Sequence, residues 1–287
     1  MDADELMILG KPASGKTHYG GQLYGRLQRQ RGVLTLQSGV GTPKDLSLFE
    51  DVLKSLQNGQ AAEHTSAATW DMVTLPLQTR TGRRVNVAWP DYAGEQVTNI
   101  FKTRRAPTHW QERLKVSSGW VLLIRLNAET TYPDALEELL SRGERTATAP
   151  AERDEARLSV WDANVIWVEL MQLLLHVAGI GSVRRVKEKR LCVLLSCFDE
   201  LDVGERVPID VLRDHLPLFA AYLESVWAPE ELSVWGLSAL GQPLDKHSAD
   251  EGFIDDGPEE KGWVALPDGG ARDPDLTLPL AWLLERR

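Results

Sequence analysis

The fold of this chain is decided by the stretch Gly10-Lys11-Pro12-Ala13-Ser14-Gly15-Lys16-Thr17. It follows an apolar run at 5–9 that suits a buried strand, and it precedes a helical pattern at 16–30. The spacing G-x-x-x-x-G-K-[ST] between a strand and a helix turns successive backbone N–H groups inward at the positive end of the helix. The stretch therefore predicts a phosphate-binding loop that uses all eight residues.

Two side chains of this loop carry its predicted chemistry. Lys16 is expected to reach the β- and γ-phosphates of a nucleoside triphosphate, and the Thr17 hydroxyl is expected to ligate Mg²⁺. This motif alone does not choose among ATPases, kinases and GTPases.

Composition narrows the class of protein. The 287 residues include 32 basic and 42 acidic side chains, a formal charge of −10, and 43% are hydrophobic. This excludes a disordered chain and argues against binding to nucleic acid or to an anionic membrane. No apolar run reaches the roughly 18 residues of a membrane span, and we expect no secretory signal. With only Cys192 and Cys197, a disulfide framework is excluded, so we expect a cytoplasmic protein.

Apolar runs alternate with helical patterns along most of the chain. Strands are predicted at 5–9, 33–36, 70–78, 84–89, 119–124, 191–195 and 232–237. Helices are predicted at 16–30, 42–56, 99–115, 158–178, 208–227 and 278–287, and the one at 99–115 is interrupted by Pro107. This alternation predicts an α/β fold: a doubly wound, mostly parallel sheet with helices on both faces and one antiparallel edge hairpin. We expect one domain over 1–287, with insertions at about 128–154 and 242–275.

A second carboxylate follows the predicted strand at 84–89. It belongs to the run Asp91-Tyr92-Ala93-Gly94-Glu95, which has the pattern D-x-x-G-E. An acid at the end of a strand suits the Mg²⁺ side of a phosphate site. In a GTPase, the Gly94 backbone N–H would bond the γ-phosphate, so the following loop would sense whether that phosphate is present.

The phosphate loop, the hairpin and D-x-x-G, in this order, resemble the Ras-like, translation-factor-related P-loop GTPases, and most closely in pattern the bacterial double-GTPase group. The resemblance implies GTP binding and Mg²⁺-dependent hydrolysis to GDP. It also implies that Ser196-Cys197-Phe198-Asp199 takes the place of the family's N-K-x-D, with Asp199 accepting hydrogen bonds from guanine. Ser238-Ala239-Leu240 takes the place of S-A-K, with the Ala239 N–H meeting guanine O6.

These base-reading motifs depart from the family pattern at three positions. Ser196 replaces an asparagine and loses an amide bridge to the phosphate loop. Cys197 replaces a lysine and loses an alkyl plane over the base, and Leu240 replaces a second lysine. Guanine preference then depends mainly on Asp199, for which Asp202 is a competing candidate.

A hydroxyl that senses the γ-phosphate through Mg²⁺ is expected in the loop before the hairpin. In double-GTPase relatives a helix and a Gly-containing turn lead into that threonine, which favours Thr65. The spacing in small GTPases favours Thr69 instead.

Hydrolysis also needs a group that orients water. Ras-like enzymes carry a glutamine directly after D-x-x-G, where this chain has Glu95 and then Gln96, so both are catalytic candidates beside Lys16. A carboxylate next to a triphosphate is unfavourable unless it is protonated or screened, so hydrolysis is expected to be slow without a partner. Arg104 and Arg105 follow the segment after D-x-x-G, which we call the second switch, but no arginine finger is assigned.

The leading interpretation is a GTP-hydrolysing switch that acts on a protein partner through the switch loops and the insertions. The resemblance adds a role in bacterial defence. Two alternatives stay open: a P-loop ATPase or small-molecule kinase with an arginine-rich lid at 142–157, and a nucleotide-bound scaffold that does not hydrolyse. The sequence leaves the oligomeric state open.

Overall fold

The computed structural model describes residues 3–37, 46–62, 72–90, 93–132, 161–181, 183–244, 247 and 250–285. The strands in this part of the chain are β1 Asp4–Gly10, β2 Leu34–Leu36, β3 Met72–Thr79, β4 Arg84–Pro90, β5 Gly119–Ile124, β6 Arg190–Ser196, β7 Leu232–Ser238, β8 Trp263–Ala265 and β9 Arg272–Asp273. The helices are α1 Lys16–Gln28, α2 Ser47–Gln57, α3 Ala93–Thr103, α4 Thr108–Val116, α5 Ala163–Ala178, α6 Pro208–His215, α7 Pro217–Val226, α8 Glu251–Asp256 and α9 Leu278–Leu284.

All of the described strands belong to one sheet, in the order β2-β3-β4-β1-β5-β6-β7-β8-β9. The five central strands, from β4 to β7, run parallel to one another. The hairpin of β3 and β4 and the edge strand β2 are antiparallel. The predicted fold class, a mostly parallel sheet with an antiparallel hairpin towards one edge, is confirmed.

The central strands are buried on both faces because their side chains alternate between two cores. In β1, Leu6 and Ile8 belong to one core, and Met7 and Leu9 belong to the other. Helices α1, α2 and α9 cover the first core, whereas α3 to α7 cover the second. This two-sided burial explains why β1, β5 and β6 read as continuous apolar runs in the sequence.

Two predicted helices are each divided in the structure. The helical stretch at 99–115, predicted with an interruption at Pro107, consists of α3, which begins earlier at Ala93, and α4, which begins after Pro107. The helix predicted at 208–227 is α6 and α7, with Pro217 at the start of the second. In both cases proline lacks the N–H that an interior helix position needs, and it disfavours helical dihedrals at the preceding residue.

The predicted insertion at 242–275 contributes α8, β8 and β9. Strand β8 pairs antiparallel with the last residues of β7, with Gly236 opposite Ala265, and β9 pairs with β8. The sheet therefore has antiparallel strands at both edges rather than at one. Most of the other predicted insertion, 133–154, lies outside the described residues.

Helix α1 connects the segment 258–276 to the rest of the fold. The Tyr19 hydroxyl donates to the Leu276 carbonyl oxygen at 2.9 Å, and the Gln22 amide donates to that of Pro258 at 2.8 Å. Arg26 is 4% exposed and donates to the Gly262 carbonyl oxygen at 2.8 Å. Burial lowers the pKa of Arg26 to about 10. These hydrogen bonds replace bonds to water that the three polar side chains lose when they are buried.

The opposite side of α1 lies against α2 and β4, and Gly20 permits that approach. A Cβ atom at Gly20 would lie 2.5 Å from Cε1 of Phe49 and 3.1 Å from Cζ2 of Trp89. The two rings pack edge to face, with centroids 5.4 Å apart, and both are buried. A side chain at position 20 therefore has to displace an aromatic pair.

We expect Gly20→Ala to destabilise the protein by about 1–3 kcal/mol, because overpacking the aromatic pair outweighs the gain of roughly 1 kcal/mol in helix propensity. Urea denaturation measures the change. Gly252→Ala in α8 is the matched control, since its added Cβ would meet only an Asp250 carboxylate oxygen, at 3.5 Å. Phe49→Leu in the Gly20→Ala background should cost less than it does alone. An unchanged urea midpoint for Gly20→Ala would contradict this account.

Candidate functional site

The predicted phosphate loop lies between the end of β1 at Gly10 and the start of α1 at Lys16. Gly15 caps the helix with φ +81° and ψ +3°, the left-handed conformation that glycine adopts without steric cost. Ala13 is also left-handed, with φ +56°. The loop thus makes a tight turn onto a helix N-terminus, where free N–H groups and the helix dipole favour an anion.

Lys16 reaches back across this loop. Its ammonium donates to the carbonyl oxygens of Gly10 at 3.0 Å and Lys11 at 2.7 Å, and to the Ser14 hydroxyl at 3.0 Å. The residue is 7% exposed, and burial lowers the pKa of its amine to about 7. The groups that accept from Lys16 are uncharged, so none of them neutralises its ammonium. An anionic ligand in the loop would therefore stabilise the charged form of Lys16.

Lys11 contributes backbone to the loop, but its side chain points elsewhere. Its ammonium pairs with the Glu129 carboxylate at 2.5 Å and lies 5.1 Å from the centre of the Trp167 ring. The Glu129 side chain is 5% exposed. Lys11 therefore links the phosphate loop to the chain after β5 and to α5.

A cavity of about 220 Å³ lies beside the phosphate loop, at the carboxyl ends of β6 and β7. It brings together most of the residues predicted to read the base. It is lined by Gly15, His18, Arg125, Ser196, Cys197, Asp199, Glu200, Leu237, Ala239, Leu240, Gln242, Pro243 and Leu244. Asp202, the competing candidate, does not line it. Ser238 is fully buried next to it, and its hydroxyl accepts from the Gly241 N–H at 2.9 Å.

The departures from the guanine motif have visible consequences in this cavity. Ser196 lies against the phosphate loop, 3.4 Å from where a Cβ of Gly15 would be, and its buried hydroxyl lacks a hydrogen-bond partner among the described residues. Cys197 has a left-handed backbone with φ +51°. Burial raises the pKa of its thiol to about 12, so the thiol stays neutral at physiological pH.

Three groups of lining residues are absent from the sequence predictions. His18 lies one turn into α1, and its Nε2 accepts from the Ala62 N–H at 3.1 Å. Arg125 follows β5 and donates to both carboxylate oxygens of Glu200, at 3.0 and 2.8 Å. Position alone could have identified Arg125, because residues that follow parallel strands meet at one edge of the sheet. The third group, 242–244, carries no such signal.

The switch side of the site is only partly described. Asp91, Thr65 and Thr69 lie outside the described residues, and Gly94 and Glu95 fall in the first turn of α3. The side-chain Oε1 of Gln96 accepts a hydrogen bond from the Trp110 indole N–H of α4. Gln96 therefore has a structural role between two helices, whatever its part in catalysis.

The donor set suits Mg²⁺ bound together with phosphate. Within the described ranges, no group of three or more His, Cys, Asp or Glu side chains is placed to hold a metal ion. Mg²⁺ needs no such cage, because it usually takes one or two protein oxygens together with phosphate oxygens and waters. Thr17, the second residue of α1, offers such an oxygen next to the loop.

In the part of the chain that the structure describes, no helix is long and apolar enough to cross a membrane.

A phosphate loop and a base-sized cavity thus lie side by side at the carboxyl edge of a doubly wound sheet, where α/β proteins bind nucleotides. The fold and site define a P-loop nucleotide-binding domain. The model of the family Double-GTPase 1 matches residues 7–283, and the chain belongs to this family. The predicted resemblance is confirmed, and the family is one of GTPases. No curated protein matches the sequence.

Solved structures with similar folds are distant in sequence. The signal recognition particle receptor SRb-GTP/SRX complex from Chaetomium thermophilum has 13% identity and a TM-score of 0.40, covering 90% of this chain and 98% of that one. The Arl6 BBS3 small GTPase from Trypanosoma brucei has 10% identity and a TM-score of 0.35, covering 91% and 99%. The elongation factor SelB from Methanococcus maripaludis has 10% identity and a TM-score of 0.35, covering 83% and 31%.

The lowered pKa of Lys16 leads to a prediction about pH. Its amine is largely neutral above pH 7 in the free protein, whereas a bound triphosphate favours the ammonium. Binding of a nucleoside triphosphate with Mg²⁺ should therefore take up close to one proton at pH 8, and it should weaken as the pH rises through 7. Calorimetry at pH 8 in two buffers of different ionisation heat measures this uptake.

Two variants control for other groups in this experiment. Lys54→Arg changes an exposed lysine of α2 and should leave the proton uptake unchanged. Lys16→Arg keeps a permanent charge and should bind without uptake. Equal binding heats in the two buffers for the unmodified protein would show that the Lys16 amine is already charged.

Proposed function

We propose that this chain binds GTP with Mg²⁺ in the described site, hydrolyses it to GDP, and acts as a nucleotide-dependent switch for a protein partner. The observation that carries the proposal is the cavity that brings Asp199 and Ala239 next to Gly15 of the phosphate loop. A carboxylate can accept from both guanine N1–H and the exocyclic amine, and adenine offers no such pair of donors. Membership of a GTPase family supports the same conclusion.

Each part of the phosphate site has a proposed role. The loop amides and the Lys16 ammonium would neutralise charge on the β- and γ-phosphates, and the Gly94 N–H would bond the γ-phosphate. Thr17, Asp91 and Thr65 would hold Mg²⁺, which supplies further charge stabilisation at the phosphates when it is bound. Glu95 would orient the attacking water.

Slow intrinsic hydrolysis is part of this proposal. Glu95 is a carboxylic acid where Ras-like enzymes have a neutral amide, and the side-chain Oε1 of Gln96 already accepts from Trp110. Neither residue then offers an uncommitted amide oxygen that could accept from the water. A partner that positions water or adds positive charge would therefore accelerate the reaction.

The second switch contacts neighbouring helices, and these contacts are a route by which a change at the γ-phosphate would reach a protein partner. Helix α3 follows D-x-x-G directly, and Arg104 at its end pairs with Glu169 of α5 at 2.5 Å. The ion pair and the Gln96–Trp110 bond join α3 to the helices on one face of the sheet. A loop that changes with the γ-phosphate would move these contacts, and we propose that a protein effector binds there.

A P-loop ATPase is the second candidate. The observation in its favour is the weakened base motif, which leaves guanine selection mainly to Asp199.

Asp199→Asn should remove most of the preference for guanine. We expect this preference to be at least about tenfold, because a charged hydrogen-bond pair contributes roughly 1.5–3 kcal/mol. Asp202→Asn is the matched control and should keep the preference. Calorimetry with GDP and ADP measures both variants. Equal affinities in the unmodified protein would establish the ATPase alternative instead.

The switch is tested separately by hydrogen exchange. Residues 59–69 and 92–105 should exchange faster with GDP than with a non-hydrolysable GTP analogue. The fully buried residues 6–9 of β1 and 121–124 of β5 should not change. Lys16→Ala should bind neither nucleotide, show no difference between them and keep its fold. Uniform exchange in both states, with no phosphate release over hours, would leave only a nucleotide-bound scaffold.

A further inference from the structure

The base-sized cavity has two different walls. One wall is apolar and comes from the chain after β7, where Ala239, Leu240, Pro243 and Leu244 line it. Leu240 and Leu244 pack against a small buried cluster with Phe253, which supports this wall from behind. The other wall lies at the ends of β5 and β6 and contains Arg125, Cys197 and Glu200.

Cys197 does not supply a surface of the size that a purine needs. Its side chain ends at a neutral sulfur, and its left-handed backbone departs from the extended strand before it. Arg125 comes from the neighbouring strand: β5 and β6 are parallel and Ile124 pairs with Leu195, so Arg125 lies next to the start of the Ser196–Asp199 motif. It is the one arginine or lysine among the described residues that line this cavity.

The Arg125 guanidinium is anchored at one of its nitrogen atoms. Its Nη2 donates to both oxygens of Glu200, and the Glu200 backbone carbonyl in turn accepts from the Asn127 side-chain amide at 3.2 Å. The Nε atom of Arg125 is buried and has no partner among the described residues. An anchored planar cation loses less entropy than a free one when an aromatic ring is placed against it.

We propose that the Arg125 guanidinium packs against the face of the nucleotide base and replaces the lysine that the guanine motif lacks, with Glu200 as its positioning residue. This inference rests on the proposed nucleotide site. A guanidinium over a π-face is attracted to any purine. Arg125 therefore contributes affinity for the base, whereas Asp199 contributes the choice of guanine over adenine.

Arg125→Ala tests this division of roles. GDP and ADP should both bind roughly 3- to 30-fold more weakly, the range that a cation contributes on an aromatic face, and the ratio of their affinities should not change. Binding of Mg²⁺–tripolyphosphate, which has no base, should stay the same. Arg206→Ala is the matched control, because Arg206 pairs with Asp214 on the surface at 2.5 Å, away from the cavity. Thermal melting checks that each variant is folded.

A rescue variant separates base contact from structural support. Cys197→Lys in the Arg125→Ala background places an alkyl chain back over the base and should recover most of the GDP affinity. Glu200→Gln should weaken GDP and ADP binding by a smaller common factor, because it loosens the guanidinium without removing it. If Arg125→Ala failed to fold, Arg125→Met would keep the aliphatic stem. It should then weaken GDP and ADP binding by a common factor that is smaller than for Arg125→Ala.

The outcomes distinguish this inference from the proposed function. Unchanged GDP affinity in Arg125→Ala, or an equal loss for tripolyphosphate, overturns the base contact while the guanine site stands. A changed GDP-to-ADP ratio overturns the division of roles. If the unmodified protein binds purine nucleotides without preference, guanine selection fails, yet a common loss for both nucleotides in Arg125→Ala still supports the base contact. If the protein binds no purine nucleotide, both proposals fail.

Discussion

Burial of α1 on every side is the constraint on which the rest of the structure depends. The helix begins at the phosphate loop, lies against α2 and β4 where Gly20 has no side chain, and is bonded to 258–276 through Tyr19, Gln22 and Arg26. A helix fixed this firmly holds its N-terminus in one place. The loop amides and Lys16 therefore share a rigid support, which is what electrostatic stabilisation of a developing charge requires.

Much of the fold could be predicted because its signals are local. The phosphate loop has a fixed spacing, and the central strands are apolar runs because both of their faces are buried. The interruption at Pro107 was predicted, whereas the helix break at Pro217 was missed because apolar periodicity continues across that proline. Strands β8 and β9 were missed because they are short, and most of their stabilisation comes from pairing with distant residues rather than from their own sequence.

The candidate site could be predicted to a lesser degree. Asp199 and Ala239 were predicted because their motifs follow apolar strands in the order that the family resemblance implies, and both line one cavity. The wall at 242–244 was missed because it belongs to a Gly- and Pro-rich stretch whose position depends on Phe253 packing against α2. The roles of Asp91, Thr65 and Glu95 stay predictions. A degenerate base motif is compatible with binding when neighbouring strands and loops supply the surfaces that its own side chains lack.

The edge strands of the sheet are short, and this bears on self-association through strand pairing. At one edge of the described sheet, β2 has three residues, and at the other edge β9 has two. Unpaired strand edges attract other strands, and short edges offer few backbone groups for this pairing. Growth of the sheet from molecule to molecule is therefore disfavoured. Another protein that contacts this chain therefore meets side chains of helices and loops more readily than unpaired strand backbone.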